Sequence, residues 1–155
     1  MAGKIDARLA ELGITLPEPA KPVANYVGFV VTGSLVFTAG QVPLKDGKMA
    51  YVGKLGQDLS VEEGQASARL CAINVIAQLK AACGGDLDRV KRIVRLGGFV
   101  NSTPDFTDQP KVINGASDLM VEVFGEAGKH ARTALSAGSL PVGVATEVEC
   151  VAEIA

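Results

Sequence analysis

The sequence predicts an α+β domain in which two main helices pack on one face of a mixed, mostly antiparallel sheet. Two long apolar patterns with three- and four-residue spacing lie among short β-branched runs, an order typical of helices layered on a sheet. The 155 residues suit one domain spanning 1–155, since 48% are hydrophobic and 21% are charged. With only 5% aromatic residues and no Trp, the core must be aliphatic.

The N-terminal part of the chain is predicted to be a short helix followed by an extended connector. Residues 3 to about 12 have a helical apolar pattern, and the Pro-rich segment 16–22 completes an N-terminal region of residues 1–22. Two strand-like runs then flank Thr32-Gly33-Ser34, which reads as a hairpin turn. A second turn at 45–48 leads into a short strand near MAYVG.

The clearest helix follows Asp58. Ser60 and Glu63 form a capping box at its start, and Gly84 and Gly85 end it. Its apolar positions recur at helical steps: Val61, Gly64, Ala68, Ala72, Val75, Leu79 and Ala82.

The C-terminal half is predicted to hold one strand, a second helix and two closing strands. DLDRVKRIVRLGGFVNS contains the first strand, and the helix has Val112, Ala116, Leu119, Met120 and Val123 on its apolar side. The closing strands span about 131–138 and 144–153. The predicted order is therefore α-β-β-β-α-β-α-β-β.

Composition argues against several classes of function. The net charge is −2, and no block of five basic residues occurs, so a nucleic-acid partner is not expected. The absence of CxxC and HxxxH spacings predicts no metal site, and no cofactor is expected. No run approaches 18 apolar residues, so no membrane span is predicted and a cytoplasmic location is expected.

The three cysteines do not form a disulfide pattern, which favours a reducing environment. Cys71 and Cys150 lie in apolar patterns and are predicted to be small core residues. Cys83 lies at a helix end, where we expect exposure. Nothing in the sequence marks a catalytic cysteine.

Two charged residues stand in otherwise core-like strands near the C-terminus. Arg132 is either a surface arginine with its stem on apolar surface or a bidentate clamp for a carboxylate. In TEVECVAE, alternation places Glu147, Glu149 and Glu153 on one face of a strand. Glu147 is therefore either part of a solvated face or a carboxylate that holds or deprotonates a water.

The spacing of these residues resembles the Rid (YjgF) family of enamine/imine deaminases, in its longer branch with an N-terminal helix. R-T-A-x(4)-S-L-P-x(5)-E-V-E, from Arg132 to Glu149, is similar to the family's C-terminal signature. TAGQVPL at 38–44 is similar to its SGQ-type strand end. Tyr26 stands fifteen residues before Gln41, as the family's pocket tyrosine does. Asn114 falls where the family has a pocket asparagine. The resemblance covers about residues 24–153.

The resemblance implies a chorismate-mutase-like fold and a homotrimer with pockets between subunits. By this resemblance Arg132 binds the carboxylate of a small 2-imino or 2-oxo acid, and Glu147 orients the attacking water together with main-chain groups near Arg132, at Thr133 and Ala134. Tyr26 and Asn114 would line the pocket, and the main chain at Gly40 would lie close to the ligand. The implied activity is cofactor-free hydrolysis of small 2-enamino or 2-imino acids.

Several alternatives stay open at this point. Tyr26 reads equally well as a plain strand aromatic, and Asn114 as a helix-surface residue. His130 is interpreted as a loop residue rather than a base. The same pocket could bind a metabolite without catalysis. The endoribonuclease activity often attributed to this family is disfavoured by acidic pI and a lone histidine, and chorismate mutase activity rests on fold analogy alone. Many relatives have Arg-Ser-Cys where this chain has Arg132-Thr133-Ala134.

Overall fold

The computed structural model describes residues 3–155, within which three α-helices are interspersed with seven strands. The elements are α1 Lys4–Glu11, β1 Phe29–Thr32, β2 Leu35–Thr38, β3 Leu44–Lys45, β4 Lys48–Met49, α2 Val61–Ala82, β5 Val90–Asn101, α3 Gln109–Phe124, β6 Ala131–Ala137 and β7 Thr146–Ile154, with 3-10 turns at Leu87–Arg89, Gly125–Gly128 and Pro141–Gly143.

Five strands form one sheet in the order β1-β2-β7-β5-β6. β5 and β6 run parallel, and the other three neighbouring pairs in this sheet are antiparallel. The two long helices pack on one face, as predicted, and we call the other the open face. The prediction of an α+β fold with a mostly antiparallel sheet is confirmed.

The long helices form because local signals and apolar patterning agree. The Ser60 hydroxyl accepts from the Glu63 amide at 3.1 Å, and the Glu63 carboxylate accepts from the Ser60 amide at 3.0 Å, so the predicted capping box is present. Where α2 and α3 meet, Gly115 lies directly against the Gln65 carbonyl. A side chain at residue 115 would hold the two helices apart.

The N-terminal helix is fixed to the rest of the domain by polar and apolar contacts. The Asp88 carboxylate accepts from the amides of Lys4 and Ile5 at 3.0 and 2.9 Å. Lys80 pairs with Asp6 at 3.0 Å, and Leu9 is buried in the main core cluster. These contacts hold the following connector in place.

Two expectations about the fold are wrong. The predicted third strand is a separate hairpin of two short strands, β3 and β4, because Asp46 and Gly47 turn the chain with positive φ angles of 51° and 78°. The predicted element order therefore lacks one strand, since two-residue strands are too short to show periodicity.

The second wrong expectation concerns Cys83, which is 2% exposed rather than open to solvent. The chain folds back over this helix end, and the Arg89 guanidinium donates to the Cys83 carbonyl at 3.1 Å. Cys71 and Cys150 are buried as predicted. Burial raises the pKa of both thiols to about 12, so both stay protonated near neutral pH.

Candidate functional site

Arg132 lies on the edge strand β6 and is held by side chains of α3. Its Nη1 donates to Asn114 Oδ1 at 2.8 Å and to Ser117 Oγ at 3.2 Å. In the sheet Arg132 pairs with Leu96, which is fully buried beneath the helices. The structure therefore brings together, on the helix-covered face, Arg132 and Asn114, two of the residues to which the resemblance assigned pocket roles.

Ser117 and His130 extend this contact into a short hydrogen-bonded chain. His130 Nδ1 lies 2.6 Å from the Gly128 carbonyl, and Nε2 lies 2.9 Å from Ser117 Oγ. In a neutral imidazole Nδ1 donates to the carbonyl, so Nε2 accepts from the Ser117 hydroxyl. The Ser117 oxygen is then free to accept from Arg132. His130 precedes β6, outside the strand, in agreement with the loop interpretation.

Sequence reasoning did not find Ser117. It stands three residues after Asn114 on α3 and therefore on the same side of the helix. This three-residue spacing from Asn114 is the feature of the sequence by which Ser117 could have been found. We call Arg132, Asn114, Ser117 and His130 the arginine cluster.

Glu147 lies on β7 beside Gly40. A Cβ added to Gly40 would lie 2.5 Å from Glu147 Oε2, so the absence of a side chain at residue 40 leaves the room that the carboxylate fills. Partial burial raises the pKa of the Glu147 carboxyl, and the nearby carboxylate of Glu149 raises it further. The hydrogen bonds of residues 3–155 include none to the Glu147 carboxylate.

Tyr26 belongs to the segment before β1 and is 56% exposed. The alternative of a plain strand aromatic is therefore wrong, because the strand begins only at Phe29. Tyr26 and Gly40 line one depression of about 230 Å³. Its other lining residues are Ala20, Lys21, Pro22, Val23, Gly28, Ala39, Gln41, Val42, Leu44, Met49 and Asn74. We call Glu147, Gly40 and Tyr26 the glutamate cluster.

The two residues that follow Arg132 point to different faces of the sheet. Ala134 is on the same side as Arg132 and packs against the core. Thr133 is on the open face, where its Oγ1 accepts from Arg95 Nη2 at 3.2 Å. The Thr133 side chain is thus separated from the arginine cluster, and only its main chain remains near Arg132.

The two clusters of one chain lie on opposite faces of the sheet. Arg132 pairs with Leu96, and Leu96 pairs with Cys150, all on the helix-covered side. Glu147 pairs with Phe99, which lies three residues after Leu96 on β5. Because successive side chains of a strand point to alternate faces, Phe99 and Glu147 face the other side of the sheet. Strand β5 also separates β6 from β7, which places the two strands about 10 Å apart. Arg132 and Glu147 of one chain cannot contact the same small ligand.

Comparison with known proteins identifies the family. The family model described as "YjgF/chorismate_mutase-like, putative endoribonuclease" matches residues 6–154. The chain belongs to this family. The resemblance seen in the sequence is confirmed at this level, and so is the fold that it implied.

Relatives of this YjgF-like chain match most of its length. Protein TCP17 of Trypanosoma cruzi is 50% identical over 99% of this chain and 96% of its own. A Shewanella oneidensis MR-1 structure called "a putative endoribonuclease" is 42% identical, with a TM-score of 0.94 over 98% of this chain and 100% of its own. Escherichia coli TdcF, solved with bound serine, is 26% identical, with a TM-score of 0.63 over 89% and 94%.

Neither a membrane span nor a metal centre is found in the described part of this YjgF-like chain. The helices within residues 3–155 lack the combined length and hydrophobicity needed to cross a bilayer. Over the same residues, no three side chains of His, Cys, Asp or Glu are grouped to hold a metal ion.

Proposed function

We propose that this protein hydrolyses small 2-imino acids, and the 2-enamino acids that tautomerise to them, to 2-oxo acids. Water adds to the imine carbon, the C–N bond of the resulting carbinolamine breaks, and ammonia leaves with the transferred protons. No electrons are exchanged, so the reaction needs no redox cofactor. The observation that carries the proposal is that the chain holds both a preformed arginine cluster and, separately, a Glu147 carboxylate beside Gly40.

Arg132 would bind the substrate carboxylate. Asn114 and Ser117 both accept from Nη1, which fixes the plane of the guanidinium while leaving its other donors available. A fixed guanidinium matches a carboxylate with two parallel hydrogen bonds. Because the side chain is ordered before the ligand arrives, less conformational entropy is lost on binding.

Glu147 would orient the water and accept its proton. A carboxylate whose pKa is raised by burial is a stronger base than an ordinary carboxylate. The backbone at Gly40 comes within reach of this carboxylate, so a substrate lying on Gly40 would meet the water held by Glu147. Tyr26 would form the wall beside it.

The opposite placement of the clusters supports a site shared between subunits of a homotrimer. Each small ligand would contact Glu147 of one subunit and Arg132 of the next. The open face also carries apolar side chains suited to association, because Val30, Phe37 and Leu135 are 52%, 44% and 52% exposed in the single chain. Contact with neighbouring subunits would remove this apolar surface from water.

A second candidate function is metabolite binding without turnover. TdcF carries bound serine, a small molecule with one carboxylate, and the arginine cluster suits such a ligand in this chain too. Binding alone requires Arg132 but gives no role to the raised pKa of Glu147. An endoribonuclease activity, as in the name of the Shewanella relative, has less support because the chain is acidic, with a net charge of −2.

The direct test is hydrolysis of freshly generated 2-aminoacrylate and 2-aminocrotonate, followed by detection of the 2-oxo acid. We expect Arg132→Ala and Glu147→Gln each to lower kcat/KM at least about 100-fold, since each removes one half of the reacting site. Glu153→Gln is the matched control, because it removes a carboxylate from the same face of β7 away from Gly40. If wild type binds 2-oxo acids but accelerates neither reaction, metabolite binding is the better description.

Mixing the two inactive variants tests whether the site is shared. Arg132→Ala and Glu147→Gln chains, unfolded and refolded together, should recover roughly a quarter of wild-type activity, because random assembly of trimers leaves about one shared site in four with both residues intact. Each variant refolded alone should stay inactive. No recovery from confirmed mixed assemblies would show that both residues act within one chain.

A further inference from the structure

We propose that Lys21 recognises a second anionic group on the substrate, so that the preferred substrates are 2-imino acids whose side chain ends in a carboxylate. This inference rests on the proposed hydrolysis and specifies its substrate class. It follows from the depression beside Gly40, where the N-terminal connector supplies one wall and Lys21 supplies a positive charge.

The depression combines apolar walls with one charged residue. Val23, Tyr26 and Met49 contribute apolar surface, and each is more than one third exposed in the single chain. Lys21 is the one charged side chain among the residues that line the depression in the described chain, and no carboxylate faces it there. The methylene groups of a substrate side chain would lie along the apolar walls, and an anionic group at the end of that side chain would contact Lys21.

The connector is held at this position by a buried glutamine. Gln78 on α2 is 2% exposed, and its Nε2 donates to the carbonyl of Ala20, next to Lys21, at 3.2 Å. The same side chain contacts the segment before β1, since a Cβ on Gly28 would lie 2.5 Å from Gln78 Oε1. One buried amide thus fixes the connector and the Tyr26 segment against each other, which makes the wall a built feature of the fold.

The charge of Lys21 is available to a ligand. Within residues 3–155 the ion pairs involve other lysines, namely Lys80, Lys111 and Lys129, and Lys21 has no carboxylate partner. A lysine beside an apolar depression binds most favourably an anionic group that is attached to an apolar chain. A neutral substrate side chain would leave the ammonium with water alone.

The depression adjoins the glutamate cluster at Gly40 and Tyr26, and the Glu147 side chain lies outside its lining. A substrate whose imine carbon lies near Glu147 would extend its side chain past Gly40 to reach Lys21. Its 2-carboxylate would meet Arg132 of the neighbouring subunit. Two cations at opposite ends of one site select a dicarboxylate over a monocarboxylate of equal length.

The test compares two six-carbon imino acids, generated in place by oxidative deamination of 2-aminoadipate and of norleucine at matched rates. The measured quantity is the ratio of kcat/KM for the dicarboxylic imine to that for the monocarboxylic imine. Lys21→Ala should lower this ratio about tenfold, and Lys21→Glu should lower it further through repulsion. Lys48→Ala is the matched control, since Lys48 is also exposed but lies outside the depression.

An unchanged ratio in Lys21→Ala and Lys21→Glu would overturn the assignment of Lys21 while leaving imine hydrolysis intact. If wild type hydrolyses neither imine, the proposed function fails, and the affinities of the two products decide the role of Lys21. Calorimetry should then show tighter binding of 2-oxoadipate than of 2-oxohexanoate, with the difference lost in Lys21→Ala. Equal affinities in wild type would contradict the inference.

Discussion

The arginine cluster and the glutamate cluster hold their charges in different ways. Arg132 is joined to Asn114 and Ser117, and Ser117 is joined to His130, so the guanidinium is fixed before any ligand binds. Glu147 occupies a space left by Gly40, where burial and Glu149 raise its pKa. One cluster is built for position and the other for basicity.

This difference matches what each group would do in hydrolysis. A carboxylate clamp works by geometry, because two parallel hydrogen bonds require a fixed guanidinium. A general base works by proton affinity, and a carboxylate already satisfied by donors would have a lowered pKa and be a weak base. The same fold provides both environments by using opposite faces of one sheet. In the proposed function, a second subunit would bring the two environments to one ligand.

The largest effect should come from filling the space beside Glu147. Gly40→Ala places a methyl group 2.5 Å from Glu147 Oε2, which must move. We expect kcat to fall about 100-fold, because a displacement of about 1 Å at a reacting group can cost that much. Gly138→Ala is the matched control, since no atom lies within 4 Å of the added Cβ. Normal kcat in Gly40→Ala would remove Glu147 from the reaction as described.

A smaller effect should come from loosening the guanidinium. Asn114→Ala removes the acceptor that lies 2.8 Å from Arg132 Nη1. We expect KM to rise about tenfold with little change in kcat, because a mobile guanidinium binds the substrate carboxylate less well but takes no part in proton transfer. Steady-state kinetics separate the two constants.

Asp118→Ala provides the control for this change, because residue 118 is exposed one turn further along α3. A fall in kcat for Asn114→Ala equal to that of Gly40→Ala would contradict the view that the arginine cluster only positions the guanidinium while the glutamate cluster supplies the base. It would indicate that Asn114 contacts the reacting atoms rather than only the arginine.

Much of the fold could be predicted because local signals agree with tertiary packing. The capping box at Ser60 and the apolar spacing of α2 and α3 both predict helices that the structure contains. The closing strands also match, since β7 alternates buried and half-buried residues over Thr146–Ile154. Short segments were less predictable. The β3–β4 hairpin depends on two positive φ angles, and Tyr26 is placed by the connector rather than by a strand pattern.

The candidate site could be predicted only as a set of residues. The family spacing identified Arg132, Asn114, Gly40 and Glu147, and the structure brings the first two together and the last two together. Their placement on opposite faces depends on the register of β5 with both β6 and β7. Register between distant segments is set by packing and turn geometry, so the separate strand patterns could not reveal it.

The smallest expected effect concerns the basicity of Glu147. The Glu149 carboxylate raises the pKa of Glu147, so Glu149→Gln should lower that pKa. Because Glu147 must be deprotonated to accept a proton, activity falls as pH falls through its pKa, and in Glu149→Gln this acidic limb should move to lower pH. Glu153→Gln removes a carboxylate from the same face further along β7 and should leave the limb in place. Profiles of kcat/KM against pH check this. An unmoved limb in Glu149→Gln would mean that Glu147 is not the group whose ionisation limits the reaction, and the role of its raised pKa would be lost.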